Sequence, residues 1–226
     1  MALLLSTKIV GYVMRIILLA VLLVGLIPAA TSAQARSVET EERVCQAAIP
    51  DAVWDAALAG NTRAKATVGQ IILSQQCGRG PDAIQLGLSW LVDAVEEGHV
   101  GAAVALAIAY HDGDIVPQSR TKAVGYYRRA AEADQIDAQH TLGVLLVSSG
   151  QPDEQDEGLY WLGAAAGQGD GMSAAFTGML YAQGLHGVPQ DTCLALDWYE
   201  ASALLEATIP VQAFIEKMPS AERAWC

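Results

Sequence analysis

Two short stretches hold side chains whose types and spacing could do chemistry. AYHDGDIVPQ, Ala109 to Gln118, places His111, Asp112 and Asp114 within four residues. An imidazole and two carboxylates on one bend form a donor set for a divalent metal. SRTK, Ser119 to Lys122, has the S-x-x-K spacing in which a lysine can activate a serine nucleophile. Neither set is completed elsewhere. The chain has no KTG and no matching Ser-x-Asn stretch. Its histidines, His99, His111, His140 and His186, never stand at HxxxH or HExxH spacing, and G-x-S-x-G, Walker and Rossmann patterns are missing. No metal, cofactor or catalytic residue is expected.

The metal-like bend has a copy. AAVALAIAYHDGDIVPQ aligns with SAAFTGMLYAQGLHGVPQ, so that Tyr110 matches Tyr181, Gly113 matches Gly184, and Val116-Pro117-Gln118 matches Val188-Pro189-Gln190. The histidine and the adjacent aspartate do not recur, because Ala182 and Gln183 follow Tyr181. What repeats is the scaffold. Two weaker copies start at Ala64 and Ala138, and the four starts, Ala64, Ala102, Ala138 and Ser173, lie 38, 36 and 35 residues apart. A period in the mid-thirties predicts a helical solenoid.

Each copy reads as two helices. In the first, Ala102, Leu106, Ala107 and Tyr110 share one face, and the small residue (Gly69, Ala107, Gly143, Gly178) lets a neighbouring helix approach. In the second, an aromatic leader (Trp90, Tyr126, Trp161, Trp198) and alanines four and five residues on form the inner face. Gly98, Gly169 and Asp134 suit the left-handed position after a helix end. Pro117 and Pro189 stiffen the bends, and Ser119 and Thr121 read as caps for a helix starting near Lys122. One hairpin cannot bury both faces, so capping segments are expected. Val44, Ala48, Val53, Trp54 and Leu58 are the apolar residues of the first cap. Pro210 opens the last, with Val211, Phe214, Ile215 and Met218 inward.

The spacing A-x-x-x-L-G-x-x-Y-x-x-G followed by A-x-x-W-Y-x-x-A-A-x-x-G resembles the Sel-one-like repeat, a relative of the tetratricopeptide repeat. Ala102, Leu106, Tyr110, Gly113, Val116, Ala123, Tyr126, Tyr127, Ala130, Ala131 and Ala138 carry it in the second copy. Gly178, Tyr181, Gly184, Val188, Asp191, Ala195, Trp198, Tyr199 and Ala203 carry it in the fourth. The third has an acidic QPDEQDEG in place of its linker, and the first is degenerate. The resemblance implies an all-α, right-handed α-solenoid of about four helix-turn-helix repeats with capping helices, and an adaptor that holds other proteins. Some cysteine-rich relatives are linked to β-lactams; they place a cysteine pair in each repeat, which this chain does not. A small cell-wall or β-lactam hydrolase stays as the alternative function, and a purely structural repeat protein as a third.

Met14 to Ala35, MRIILLAVLLVGLIPAATSAQA, has a charged start, a short apolar run and small residues before a cut expected after Ala35. Met14 is an alternative start to Met1. A retained anchor is the other reading, with Ile16 to Ile27 short for a span. The resulting organisation is a signal peptide at 1–35, an N-terminal cap at 36–63, a repeat array at 64–207 and a C-terminal cap at 208–226. Export to the periplasm or outside the cell follows. Losing Lys8 and Arg15 takes the net charge from −12 to −14. So acidic a chain repels phosphate backbones, so neither nucleic acid nor, after cleavage, an anionic membrane is an expected partner. Cys45, Cys77, Cys193 and Cys226 form no CxxC, and in an exported protein they read as disulfides. The favoured pairing is Cys45–Cys77 and Cys193–Cys226; free buried thiols are the alternative.

Solenoids present the first helix of each repeat on the concave face. By the resemblance, a protein or peptide of the cell envelope would meet Val104, Ile108, His111, Asp137, His140, Val144, Met172 and Met179, with Arg63, Gln70 and Gln183 around them. The apolar members suit anchors on an extended or helical peptide. Packing against a neighbouring helix is the alternative use of the same residues.

Overall fold

The computed structural model describes residues 49–74 and 80–205, and every regular element among them is helical. A short helix α1 (Asp51–Leu58) precedes four hairpins. These are α2 (Thr62–Leu73) with α3 (Pro81–Glu96), α4 (Val100–Asp112) with α5 (Arg120–Glu132), α6 (Ile136–Val147) with α7 (Pro152–Gly167), and α8 (Gly171–Gln183) with α9 (Thr192–Leu204). Each helix packs on the next in the chain, which makes an all-α solenoid. The expected leader (1–35) and C-terminal cap (208–226) lie outside the described residues. So do Cys45, Cys77 and Cys226; Cys193 stands near the start of α9. No described helix is long and apolar enough to cross a membrane.

Local chemistry sets the helix ends. The Asn61 side chain accepts the Ala64 N–H at 2.9 Å, and the carboxylates of Asp170 and Asp191 each cap two N–H groups, on α8 and α9. Pro81 and Pro152 occupy first-turn positions, where a missing N–H costs nothing. The residues expected in the left-handed region are there: Gly98 at φ +86°, Gly169 at +100° and Asp134 at +58°. Helix α5 starts at Arg120, two residues earlier than expected, because Ser119 alone is its cap.

The core forms as the spacing predicts, with two corrections. Ala102, Leu106, Ala107, Leu142 and Leu180 are fully buried, as are Ala130 and Ala165 on the second helices. Each such leucine contributes about 1.5–3 kcal/mol. The aromatic leaders are only half-buried, however. The residue after each leader points inward instead: Leu91, Tyr127, Leu162 and Tyr199 are 0%, 5%, 0% and 8% exposed. One helical residue is a 100° turn, so the alanine stripe aligns with this second position. In α1, Trp54 is buried as expected, but Leu58 is 63% exposed.

The hairpins alternate in type. In α2/α3 and α6/α7 two glycines face each other. A Cβ on Gly69 would stand 2.7 Å from Leu91 Cγ, and one on Gly143 2.7 Å from Leu162 Cγ. Gly87 and Gly158 return the close approach from α3 and α7. In α8/α9 an aromatic ring fills this place, with Tyr199 Cδ1 2.9 Å from a Cβ on Gly178. Ala107 and Tyr127 hold the corresponding positions in α4/α5. The second helices are 16 residues long in the glycine-paired hairpins and 13 in the others. The array is therefore two copies of a two-hairpin unit about 71 residues long, in which Gly87 corresponds to Gly158, Trp90 to Trp161 and Tyr110 to Tyr181.

Candidate functional site

The first helices of each two-hairpin unit, α2 with α4 and α6 with α8, enclose two apolar grooves. The first holds about 280 Å³, with Leu73, Ala105 and Ala109 along it, Ile108 on its wall, and Asp112 and Asp114 at its rim. The second holds about 460 Å³, between Val144 of α6 and Met172, Phe176 and Met179 of α8, with His140 and Tyr199 also lining it. The grooves are equivalent. Across the 71-residue offset Ile108 becomes Met179, Ala105 becomes Phe176 and Asp112 becomes Gln183. Ile108 is 45% exposed and Met172 61%, large apolar side chains left to solvent beside a formed groove. Helices α4, α6 and α8 contain no lysine or arginine, so Asp112 and Asp137 are their only fully charged residues.

His140 is held by two partners at one ring nitrogen. Its Nδ1 lies 2.8 Å from Ser173 Oγ and 3.1 Å from Asp170 Oδ2. Ser173, which is fully buried, donates its hydroxyl proton to Asp170 Oδ2. A serine, a histidine and an aspartate thus meet, but not as a nucleophile and its base. A catalytic serine donates to the imidazole and faces substrate. Here the hydroxyl donates to the carboxylate and has no exposed surface. Asp170 also accepts the N–H groups of Met172 and Ser173, so its main work is capping α8.

The stretches Ala109–Gln118 and Ser119–Lys122 are built into the α4/α5 hairpin. The His111 ring stands edge-on to Tyr127, 6.2 Å between centroids, while Asp112 and Asp114 rim the first groove. No three His, Cys, Asp or Glu side chains converge among the described residues. Ser119 accepts the Lys122 N–H at 3.4 Å as the α5 cap. The Lys122 ammonium is elsewhere, 3.3 Å from the Tyr110 hydroxyl and 4.5 Å from the centre of that ring. Tyr110 itself stacks on Tyr126 at 6.0 Å.

Of the residues expected on the concave face, His140, Val144, Met172 and Met179 come together in the second groove, and Ile108 stands in the first. Val104 is half-buried against the core, His111 packs on Tyr127, and Asp137 is exposed in the first turn of α6. Phe176, Tyr199, Ser173 and Asp170 complete the second groove and its histidine. Sequence reasoning did not name them as site residues, although Asp170 three residues before Ser173 is a visible capping signal.

Ion pairs join the second helices α5 and α7. Arg120 binds Glu154 through both terminal nitrogens and also reaches the Leu145 carbonyl at 3.1 Å. Arg128 binds Glu157 at 2.8 and 3.0 Å. The Arg128 guanidinium holds the Glu157 carboxyl below the usual carboxylate range, with the Trp161 N–H helping. Burial pushes Tyr127 and Tyr199 up. Between hairpins, the buried Gln139 amide donates to the Ala131 carbonyl at 3.1 Å and accepts from Gln168 at 2.8 Å.

Comparison with known proteins agrees with this architecture. The family model for the Sel1 repeat matches residues 100–135, 136–170 and 171–206. The α2/α3 hairpin lies outside those matches, yet it carries the same glycine-paired packing as α6/α7. No curated protein matches the chain. Among solved structures, the chain is similar to a Sel1 repeat protein from Oxalobacter formigenes at 27% identity and TM-score 0.56, covering 83% of this chain and 71% of that one. It is also similar to c5321, a protective antigen present in uropathogenic Escherichia coli strains displaying an SLR fold, at 28% identity and TM-score 0.55. That match covers 68% of this chain and 32% of the antigen, so this chain spans about a third of its length. Residues 100–206 match the Sel1 repeat three times over, and the described residues form a helical solenoid similar to those of Sel1-repeat proteins, a fold of the kind that serves as a protein-interaction module.

Proposed function

We propose that this chain is a non-enzymatic adaptor or regulator of the bacterial cell envelope that binds a partner protein or peptide in its concave groove. The observation that carries the proposal is the pair of equivalent apolar grooves, each between the first helices of a two-hairpin unit. Helix axes pack about 8–10 Å apart, so two helix steps separate the grooves by about 16–20 Å. An extended segment covers that distance in about five or six residues. A partner with two apolar anchors at that spacing engages both grooves, gaining from each by effective concentration. The first helices α4, α6 and α8 carry Asp112 and Asp137 and no lysine or arginine, which selects a basic segment. Export rests on the leader at Met14 to Ala35, and periplasmic or secreted placement follows from it.

The hydrolase alternative has less support, since the Ser119 hydroxyl is used in capping and Ser173 is buried. The test is in-cell crosslinking from a photoreactive side chain at position 108 or 144. One envelope protein should be captured from both positions and lost on Ile108→Glu, with helical content unchanged. Crosslinks to unrelated proteins alone, unaffected by Ile108→Glu, would refute the reading. Turnover of a chromogenic β-lactam that is lost on Ser119→Ala would replace it with the enzyme.

A further inference from the structure

The His140 contacts fix more than the ring's position; they fix which nitrogen faces a ligand. Asp170 as a carboxylate only accepts, so the shared proton between it and Ser173 belongs to the serine hydroxyl. Ser173 Oγ and Asp170 Oδ2 therefore both present lone pairs to His140 Nδ1. Two acceptors at one nitrogen require a proton on it. The neutral ring then carries its lone pair on Nε2, which has no hydrogen-bond partner among the described residues. His140 is half-buried and lines the second groove, whose other walls are thioether, aromatic and aliphatic. The result is one fixed acceptor in an otherwise apolar cleft.

We propose that the second groove takes an aromatic side chain bearing an N–H or O–H donor, tryptophan or tyrosine, from a segment that also carries lysine or arginine. This rests on the groove reading above and specifies its anchor. A purely aliphatic anchor would bury Nε2 without a partner, at a cost comparable to a lost hydrogen bond. An indole or phenol fills the cleft and donates to Nε2, while the Met172 and Met179 sulfurs suit a ring edge. The basic flank follows from charge. Asp137 lies one turn before His140 on α6, and no lysine or arginine on α4, α6 or α8 opposes a cation. The first groove has Gln70 where this one has Val144 and no histidine, so the preference belongs to the second groove alone.

The test uses two probes and one variant of the full chain. The probes are the capped tripeptide Lys-Trp-Lys and the same peptide with the indole nitrogen methylated, which removes only the donor. Binding is followed by NMR at the Met172 and Met179 methyl groups. The variant is His140→Val, chosen because Val104 holds the corresponding place one hairpin earlier. The unmethylated probe should bind about five- to tenfold more tightly to the native chain, and the two probes should bind His140→Val equally. Nitrogen shifts of the free protein at neutral pH should show His140 protonated at Nδ1. Equal binding of both probes to the native chain, or a ring protonated at Nε2, overturns the proposal. Probes that perturb Ile108 but neither methionine also overturn it, while leaving the wider groove reading in place. No perturbation at either groove counts against both.

Discussion

Gly143 and Gly125 are both helical glycines, and replacing each with alanine should move stability in opposite directions. A Cβ on Gly143 would meet Leu162 Cγ at 2.7 Å, the Gly158 carbonyl oxygen at 2.9 Å and the Leu162 nitrogen at 3.0 Å. Two of these are backbone atoms, so no rotamer change relieves them and α6 and α7 must separate. Overpacking of this kind costs about 1–3 kcal/mol. Alanine's helix propensity returns about 1 kcal/mol. The net expectation for Gly143→Ala is a loss of up to about 2 kcal/mol. At Gly125 in α5 a Cβ meets nothing within 4 Å. Gly125→Ala should therefore gain about 0.5–1 kcal/mol from the same propensity. Followed by far-ultraviolet circular dichroism, the pair should separate by several degrees in melting midpoint, at about 2–4 °C per kcal/mol for a chain of this size. If Gly143→Ala melts with or above Gly125→Ala, the close-approach account of the glycine-paired hairpins is wrong.

Three further outcomes are expected. Ser119→Ala should cost about 1 kcal/mol through loss of the α5 cap, read as a lower urea midpoint. The Glu154 and Glu157 carboxyls titrate below their ordinary value of 4.5 because of Arg120 and Arg128 respectively, so their stabilisation is complete above that value and is lost as pH falls through the lowered folded pKa. Acid melting below pH about 4.5 should thus be shallower in Glu157→Gln; an unchanged slope would deny the Arg128 pair any part in it. Non-reducing peptide mapping of exported protein should link Cys193 to Cys226 and Cys45 to Cys77, and free thiols at these positions would discard that pairing.

Much of the scaffold was readable from residue spacing. The period, the small residue at each close approach and the left-handed ends at Gly98, Asp134 and Gly169 depend on local sterics, and these repeat in the sequence. The inward residue of the second helices was misread: spacing to the alanines put the aromatic leader on the inner face, whereas Leu91, Tyr127, Leu162 and Tyr199, one residue on, hold it. The structure shows that angular position decides it, with the alanine stripe at the following residue. The site was legible in part for a different reason. Ile108, Val144 and Met179 follow from the resemblance, which turns the first helix of each repeat toward the groove. Ser173 and Tyr199 reach the groove from another helix or its buried side, and the His140 contacts depend on a neighbouring hairpin 33 residues away. Nothing within one repeat marks such a meeting.

The alternation of glycine-paired and tyrosine-filled hairpins constrains how a chain like this can change length. Removing α4 and α5 alone would set one glycine-paired hairpin directly upon another, a junction found nowhere among the described residues. Excising about 71 residues, or inserting them, recreates only junctions already present. Lineages derived from such an ancestor should grow and shrink by doublets, and a shortened or lengthened design that respects this parity should fold where an odd one does not.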